Sequence, residues 1–171
     1  MSSRQILTSA GALLFVAVVI WTTMPASSEP QGEAERAASP KLATRDYSGK
    51  RVSLADYPQQ VTVVNFWAVN CHACRIEIPH LQSLYDEYSA KDVAVIGIDR
   101  EVEQVKQFVE RAEIDYPVLV DGWETTQAYH LRATPTTVIL DAQNRVYKKY
   151  VGVQRIDRFR KDIDALLGEK S

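Results

Sequence analysis

Apolar and polar positions alternate in blocks from about residue 44 to the C-terminus. Two apolar runs bounded by polar residues, Val61–Trp67 and Val93–Ile98, are typical of buried central strands. Each run is followed by apolar residues at helical spacing, in 71–90 and in 102–112. Further strands are predicted on either side of a turn at 46–50 and at 116–120, 136–140 and 146–151, and further helices at 124–131 and 155–167. This order predicts a single α/β domain with a central mixed β-sheet and helices on both faces.

The first 24 residues have a different character. Residues 6–21 carry no charge and are mostly apolar, Arg4 precedes them, and the next charged residue is Glu29. At ~1.5 Å per residue this run is slightly short for a bilayer core of ~30 Å, yet slightly longer than the ~7–15 apolar residues of a signal peptide. The sequence therefore predicts that residues 1–24 are a membrane anchor or a cleavable signal peptide, and the length favours the anchor. Either one exports the rest of the chain.

Residues 25–43 separate this segment from the predicted domain. They are rich in Ala, Ser, Glu and Pro and lack amphipathic spacing, which predicts a flexible tether before a domain at 44–171. The net charge is −2 and the Lys and Arg residues are scattered, so the pattern excludes a nucleic-acid-binding surface. Two cysteines are too few for a disulfide-rich scaffold.

Those two cysteines, Cys71 and Cys74, lie three positions apart, between a predicted strand and a predicted helix. A helix N-terminus carries a partial positive charge and unpaired N–H groups, and both stabilise a thiolate. The CxxC spacing also lowers a thiol pKa, whereas a disulfide that closes so short a loop adds little stability. The pair therefore predicts redox chemistry. A zinc half-site is the alternative, but a closed zinc site needs four ligands and the chain has no second CxxC.

A second landmark is the proline directly before the predicted strand at 136–140. Because only about 5–6% of X–Pro bonds are cis, the sequence alone favours a trans Thr134–Pro135 bond. Together the two landmarks resemble the thioredoxin superfamily, and more narrowly its exported, membrane-tethered branch of TlpA-, ResA- and CcmG-like thiol–disulfide oxidoreductases. The resemblance covers about 44–167 and rests on four segments: Val64-Asn65-Phe66-Trp67-Ala68, Cys71-His72-Ala73-Cys74-Arg75, Glu77-Ile78-Pro79 and Ala133-Thr134-Pro135-Thr136-Thr137.

The resemblance implies a thioredoxin-like fold and a role for each site residue. Cys71 would attack, Cys74 would resolve the mixed disulfide, and Pro135 would be cis and lie beside them. Glu77 matches a place, three residues after the second cysteine, where the family often carries a Glu; it would move protons during exchange, and the alternative is an ordinary charge on the first helix. Residues expected to contact the substrate are Trp67, His72, Thr134 and Pro135.

Two positions depart from the pattern of thioredoxins. Asn65 stands where thioredoxins carry a buried Asp, and Asn cannot titrate, although the tethered branch often has Asn here. His72 and Ala73 separate the cysteines, where this branch often has a proline second. A protonated His72 would stabilise a Cys71 thiolate, and the alternative is that it is an exposed histidine without a role.

The predicted function is an exported thiol–disulfide oxidoreductase that reduces disulfides in client proteins. By the resemblance, its clients are apocytochromes c or proteins with a copper site, and a membrane protein supplies its electrons. We expect a single-pass protein of the bacterial inner membrane, with its domain facing the periplasm or cell exterior. No cofactor beyond the Cys71–Cys74 disulfide, no metal and no nucleic acid is expected. The alternative is a thioredoxin-fold copper chaperone that uses both thiols and a histidine such as His130, since thiolates suit Cu(I).

Overall fold

The computed structural model describes residues 36–46, 48–99, 102–121 and 123–169. The predicted anchor at 1–24 and the first part of the predicted tether lie outside these residues. Within the described ranges, every helix is too short or too polar to cross a bilayer.

A mixed sheet of seven strands forms the centre of the described domain, in the order β2-β1-β5-β4-β3-β6-β7. Strands β3, β4 and β5 are parallel, and the other neighbouring pairs are antiparallel. The strands are β1 Thr44–Arg45, β2 Arg51–Val52, β3 Val61–Phe66, β4 Val93–Asp99, β5 Val118–Asp121, β6 Thr136–Leu140 and β7 Val146–Val151. The helices are α1 His72–Tyr88, α2 Val102–Arg111, α3 Glu124–Ala128 and α4 Ile156–Gly168, and a 3₁₀ turn spans Leu54–Asp56.

The two central strands have the burial that their continuous apolar sequences predict. Every residue of β3 and β4 is buried. Because side chains alternate across a strand, Val61 and Val63 of β3 pack on one face of the sheet while Val64 and Phe66 pack on the other. Helices α1, α2 and α4 contribute to the core on the first face, and residues near α3 and the chain segment before β1 contribute to the core on the second. The prediction of a thioredoxin-like α/β sheet covered on both faces is confirmed.

Residues 36–43 fall in the predicted tether, and the structure places them on the domain. Arg36 is buried, Ala38 forms a β-bridge with Arg145, and Leu42 is buried in the second core. The packed structure therefore extends N-terminal to Thr44. Composition did not indicate this, because backbone hydrogen bonds to the β6–β7 turn and two separate buried side chains hold the segment, and neither leaves an amphipathic pattern.

The topology brings the two sequence landmarks to one edge of the sheet. β3 ends at Phe66 and leads into α1, while the antiparallel strand β6 begins at Thr136, which is paired with Phe66. The residues just after β3 and just before β6 are therefore neighbours. The β6–β7 turn, which begins at Asp141, lies at the opposite edge, because Leu140 pairs with Thr62 at the start of β3.

Candidate active site

Cys71 and Cys74 form a disulfide at the N-terminus of α1. Cys71 is the N-cap residue of the helix, and the backbone N–H of Cys74 donates to its Sγ at 3.1 Å. Cys74 is buried, with 1% of its surface exposed, whereas Cys71 is partly exposed. A partner can therefore reach the sulfur of Cys71 but not that of Cys74. In the reduced state the same N–H and the helix dipole would stabilise a Cys71 thiolate.

The Thr134–Pro135 loop lies directly against this disulfide. The Thr134–Pro135 peptide bond is cis, as the resemblance implies and against the trans bond that the sequence alone favours. The Sγ of Cys71 lies 3.6 Å from the carbonyl oxygen of Thr134. Thr134 is an exposed residue, whereas Pro135 is buried. The N–H of Gly152 donates to the carbonyl oxygen of Pro135 at 2.8 Å, so the end of β7 holds the loop from its other side.

Glu77 is fully buried on α1, one turn after Cys74. Its Oε2 accepts hydrogen bonds from Nδ2 of Asn65 at 2.8 Å and Oγ1 of Thr137 at 3.2 Å, and its Oε1 accepts from the N–H of Gln154 at 2.9 Å. Burial raises the pKa of this carboxyl, and the three hydrogen bonds oppose that shift only in part. Residues three apart on a helix are neighbours, so a carboxyl that can hold a proton lies beside the buried sulfur of Cys74.

The two remaining predicted substrate contacts, Trp67 and His72, differ in accessibility. Trp67 is only 2% exposed and packs against Phe108, with ring centroids 5.3 Å apart. Gly97 permits this packing, because a Cβ there would lie 2.6 Å from Nε1 of the indole. The indole is covered by Gly97 of β4 and Phe108 of α2, and the role of Trp67 as a substrate contact stays a prediction. His72 is exposed at the start of α1.

Two further residues fix the loop that carries Cys71, and neither role was predicted from the sequence. Asp99, at the end of β4, is 1% exposed, and its Oδ2 accepts from the N–H of Val69 at 2.9 Å. Arg75 donates from Nη2 to the carbonyl oxygen of Val69 at 3.1 Å. The backbone N–H and the carbonyl oxygen of Val69, two residues before Cys71, are therefore both hydrogen-bonded. For Asp99 the sequence did contain a signal: an acidic residue at the end of the buried strand β4, which is the neighbour of β3, the strand that leads into the dithiol.

The described ranges contain no group of three or more His, Cys, Asp or Glu side chains that could hold a metal ion. His130, the histidine of the copper-chaperone hypothesis, is exposed and follows α3. The expectation that the chain needs no cofactor beyond its own disulfide stays a prediction.

Comparison with known proteins agrees with this geometry. The model of the AhpC/TSA family matches residues 35–149. The thiol–disulfide oxidoreductase ResA of Bacillus cereus is 30% identical over 119 residues, which are 68% of this chain and 69% of that protein. The thioredoxin-like protein YneN of Bacillus subtilis is 28% identical over 143 residues, which are 81% of this chain and 84% of the relative.

Solved structures show the same relationship. A putative thiol:disulfide interchange protein DsbE from Chlorobium tepidum superposes with a TM-score of 0.72 at 25% identity, covering 78% of this chain and 97% of that one. A DsbF homologue from Corynebacterium diphtheriae superposes with a TM-score of 0.71 at 27% identity, covering 83% and 96%. From the family match, the relatives and the disulfide at the start of α1, the chain belongs to the AhpC/TSA family, and within it to the thioredoxin-like thiol–disulfide oxidoreductases.

Proposed function

We propose that this oxidoreductase works as a reductant of disulfides in exported client proteins. The observation that carries the proposal is the difference in accessibility between the two cysteines. Cys71 is partly exposed and contacts the exposed Thr134, whereas Cys74 is buried. Such a pair can form a mixed disulfide with a large partner and then resolve it from within.

The exchange would proceed in two steps that balance sulfur bonds and electrons. The Cys71 thiolate attacks one sulfur of the client disulfide, the client S–S bond breaks, and the departing client thiolate takes up a proton. Cys74 then loses its proton and attacks the Sγ of Cys71, which releases the second client thiolate. The client gains two electrons, the Cys71–Cys74 disulfide forms, and a dithiol donor in the membrane must reduce it again.

Glu77 would manage the proton of the second step. The buried Cys74 has no direct route to bulk water, whereas the carboxylate of Glu77 is one helical turn away and has a raised affinity for a proton. It would accept the Cys74 proton when the mixed disulfide is resolved and return it when the pair is reduced.

The surface around the dithiol suits a protein client. Ile76 is 50% exposed, Val151 59% and Val153 37%, and the segment that carries both valines is bonded to the Pro135 loop through Gly152. Exposed apolar side chains on the two segments that adjoin the dithiol, α1 and the end of β7, are suited to bind a protein client.

We further propose that residues 1–24 hold the chain in the bacterial inner membrane, with the domain facing the periplasm or cell exterior. The charge-free apolar run behind Arg4 supports this placement. In such a compartment the clients that need reduction are apocytochromes c awaiting haem, or proteins whose cysteines await copper. The ResA name of the relatives supports the reaction class but specifies no client.

The test is the reduction potential of the full-length chain, equilibrated against glutathione or dithiothreitol buffers. A value near roughly −270 mV or below, as for thioredoxin, is expected of a reductase. A value near roughly −120 mV, as for DsbA, would overturn the proposed direction and make the chain a disulfide donor. In parallel, Cys74→Ser should accumulate mixed disulfides with clients, and Cys71→Ser should not.

A further inference from the structure

A cavity of about 350 Å³ adjoins the redox loop, lined by Arg75, Phe108, Arg111 and Ala112. Arg75 directly follows Cys74 and is bonded to the carbonyl oxygen of Val69, so one wall of the cavity is continuous with the loop that carries the dithiol. The other wall is the C-terminal end of α2. We call this cavity the Arg75–Arg111 cleft.

The two guanidinium groups of the cleft differ from the paired arginines of the domain. Arg36, Arg145 and Arg160 each lie within ion-pair distance of a carboxylate. In the part of the chain that the structure describes, neither Arg75 nor Arg111 has such a partner. The lining also includes no acidic residue, so two positive charges face one opening.

The floor of the cleft holds one of these charges in position. The guanidinium of Arg75 lies 5.8 Å from the centre of the Phe108 ring, and Phe108 itself packs on the buried Trp67. Stacking on an aromatic ring and the hydrogen bond to Val69 fix the plane of the guanidinium while leaving its other N–H groups for a ligand. Planar guanidinium groups bind carboxylates through paired hydrogen bonds.

We propose that the Arg75–Arg111 cleft binds an acidic side chain of the client polypeptide, an Asp or Glu within a few residues of the disulfide that Cys71 attacks. This inference rests on the proposed function, because it assigns a recognition subsite to the same reaction. It predicts that the enzyme prefers disulfides flanked by an acidic residue over otherwise identical neutral ones.

The test uses two synthetic peptides with one disulfide each, identical except for Asp or Asn near one cysteine. Steady-state reduction by the full-length chain, with a dithiol such as dithiothreitol supplying the electrons and its uncatalysed rate subtracted, should give a KM about threefold lower for the Asp peptide, the size typical of an exposed ion pair, with kcat unchanged. At ~1 M salt, where screening acts over ~3 Å, the preference should vanish.

The decisive variant is Arg111→Gln, because the side chain of Arg111 takes part in none of the hydrogen bonds or ion pairs that the structure describes. In this variant the ratio of the KM values for the Asn and Asp peptides should fall close to one. Its reduction of the Asn peptide should be unchanged. Arg51→Gln is the matched control: it makes the same charge change at an exposed position on β2, four strands away from β3 in the sheet. Equal preferences for the two peptides in the wild type, or an equal loss in the control, would overturn the inference.

Binding of the same peptides with S-methylated cysteines separates this inference from the proposed function. An Arg111-dependent preference in binding without turnover of the disulfide peptides would support the cleft and refute the reductase. Turnover without any preference for Asp would leave the reductase and refute the cleft.

Discussion

Two of the buried carboxylates, Glu77 at the dithiol edge of the central sheet and Asp141 at the opposite edge, are compensated in opposite ways. At the dithiol edge, Glu77 receives only neutral donors, from Asn65, Thr137 and the backbone of Gln154. At the opposite edge, Asp141 is 4% exposed and receives the guanidinium groups of two arginines, Arg36 and Arg145. A carboxylate paired with cations serves the structure, whereas one held by neutral donors in a buried site is suited to exchange a proton.

The residues around the two carboxylates agree with a structural role for Asp141 and a role in proton exchange for Glu77. Arg36 also bonds both carboxylate oxygens of Glu169, so Asp141 sits in a network that joins the first described residue, the β6–β7 turn and the end of α4. Glu77 is bonded to the exposed segment after β7, because Gln154, which donates to it, directly follows the exposed Val153. Substitutions at the dithiol edge should therefore change activity, and substitutions at the opposite edge should change stability.

The largest effect on activity is expected for Cys71→Ser. The serine hydroxyl stays protonated and is a far weaker nucleophile than a thiolate, so no turnover of a disulfide substrate should be detectable. Thermal unfolding of the reduced variant should match that of the reduced wild type. Residual turnover that depends on Cys74 would show that the assignment of the attacking sulfur is wrong.

The largest effect on stability is expected for Arg36→Met at the opposite edge. Removing one partner of a buried ionic network leaves carboxylates with less compensation, and the free energy of unfolding should fall by about 3 kcal/mol. Urea unfolding of the full-length chain measures this loss, and activity per folded molecule should not change.

A matched control for this variant is Arg155→Met, whose ion pair with Asp157 is exposed. Exposed pairs contribute about 0.2–1 kcal/mol, so this change should be small. Similar losses in both variants would mean that the Arg36 network is not the stabilising element of its edge.

At the dithiol edge, Glu77→Gln should slow turnover by about 10²-fold, the lower range for loss of a general acid or base. The Gln side chain keeps the shape and an acceptor oxygen, and the amide of Asn65 can turn to complete the hydrogen bonds. Stopped-flow kinetics should place the loss in the resolving step rather than in the attack by Cys71. An unchanged resolving rate would remove Glu77 from the mechanism.

The same variant should change how stability depends on pH. Because burial raises the pKa of Glu77 above the ordinary 4.5, the folded state retains a proton that the unfolded state has already released. Wild-type stability should therefore fall as pH rises from the ordinary value through the raised one. Glu77→Gln should lack this contribution, and parallel pH profiles for the two proteins would contradict the raised pKa.

The sequence predicted the fold and the place of the Cys71–Cys74 pair at the start of a helix, for identifiable reasons. Continuous apolar runs marked β3 and β4, and the order of motifs placed Cys71 and Pro135 at one edge. The sequence could not predict features that depend on contacts between residues far apart in the chain. The burial of Trp67 requires the lack of a side chain at Gly97, thirty positions later.

Individual contacts between distant residues also could not be predicted from the pattern of apolar and polar positions. Arg36 lies in a segment of tether-like composition, and its partner Glu169 is 133 positions away. Asp99 looked like the polar end of a strand, and only the parallel pairing of β3 with β4 brings it to the loop before Cys71. Its role is consequently the least predictable part of the site.

Asp99→Ala should lower the free energy of unfolding by about 1–2 kcal/mol, less than Arg36→Met, because the buried N–H of Val69 loses its acceptor. The change should also reach the chemistry. A looser loop would weaken the bond from Cys74 N–H to the Cys71 sulfur, so the pKa of the Cys71 thiol should rise and its alkylation at neutral pH should slow. The pH dependence of thiolate absorbance measures this directly. Asp99→Asn, which keeps an acceptor oxygen, should restore most of both properties; if it restores stability but not reactivity, the charge of Asp99 rather than its hydrogen bond acts on the dithiol.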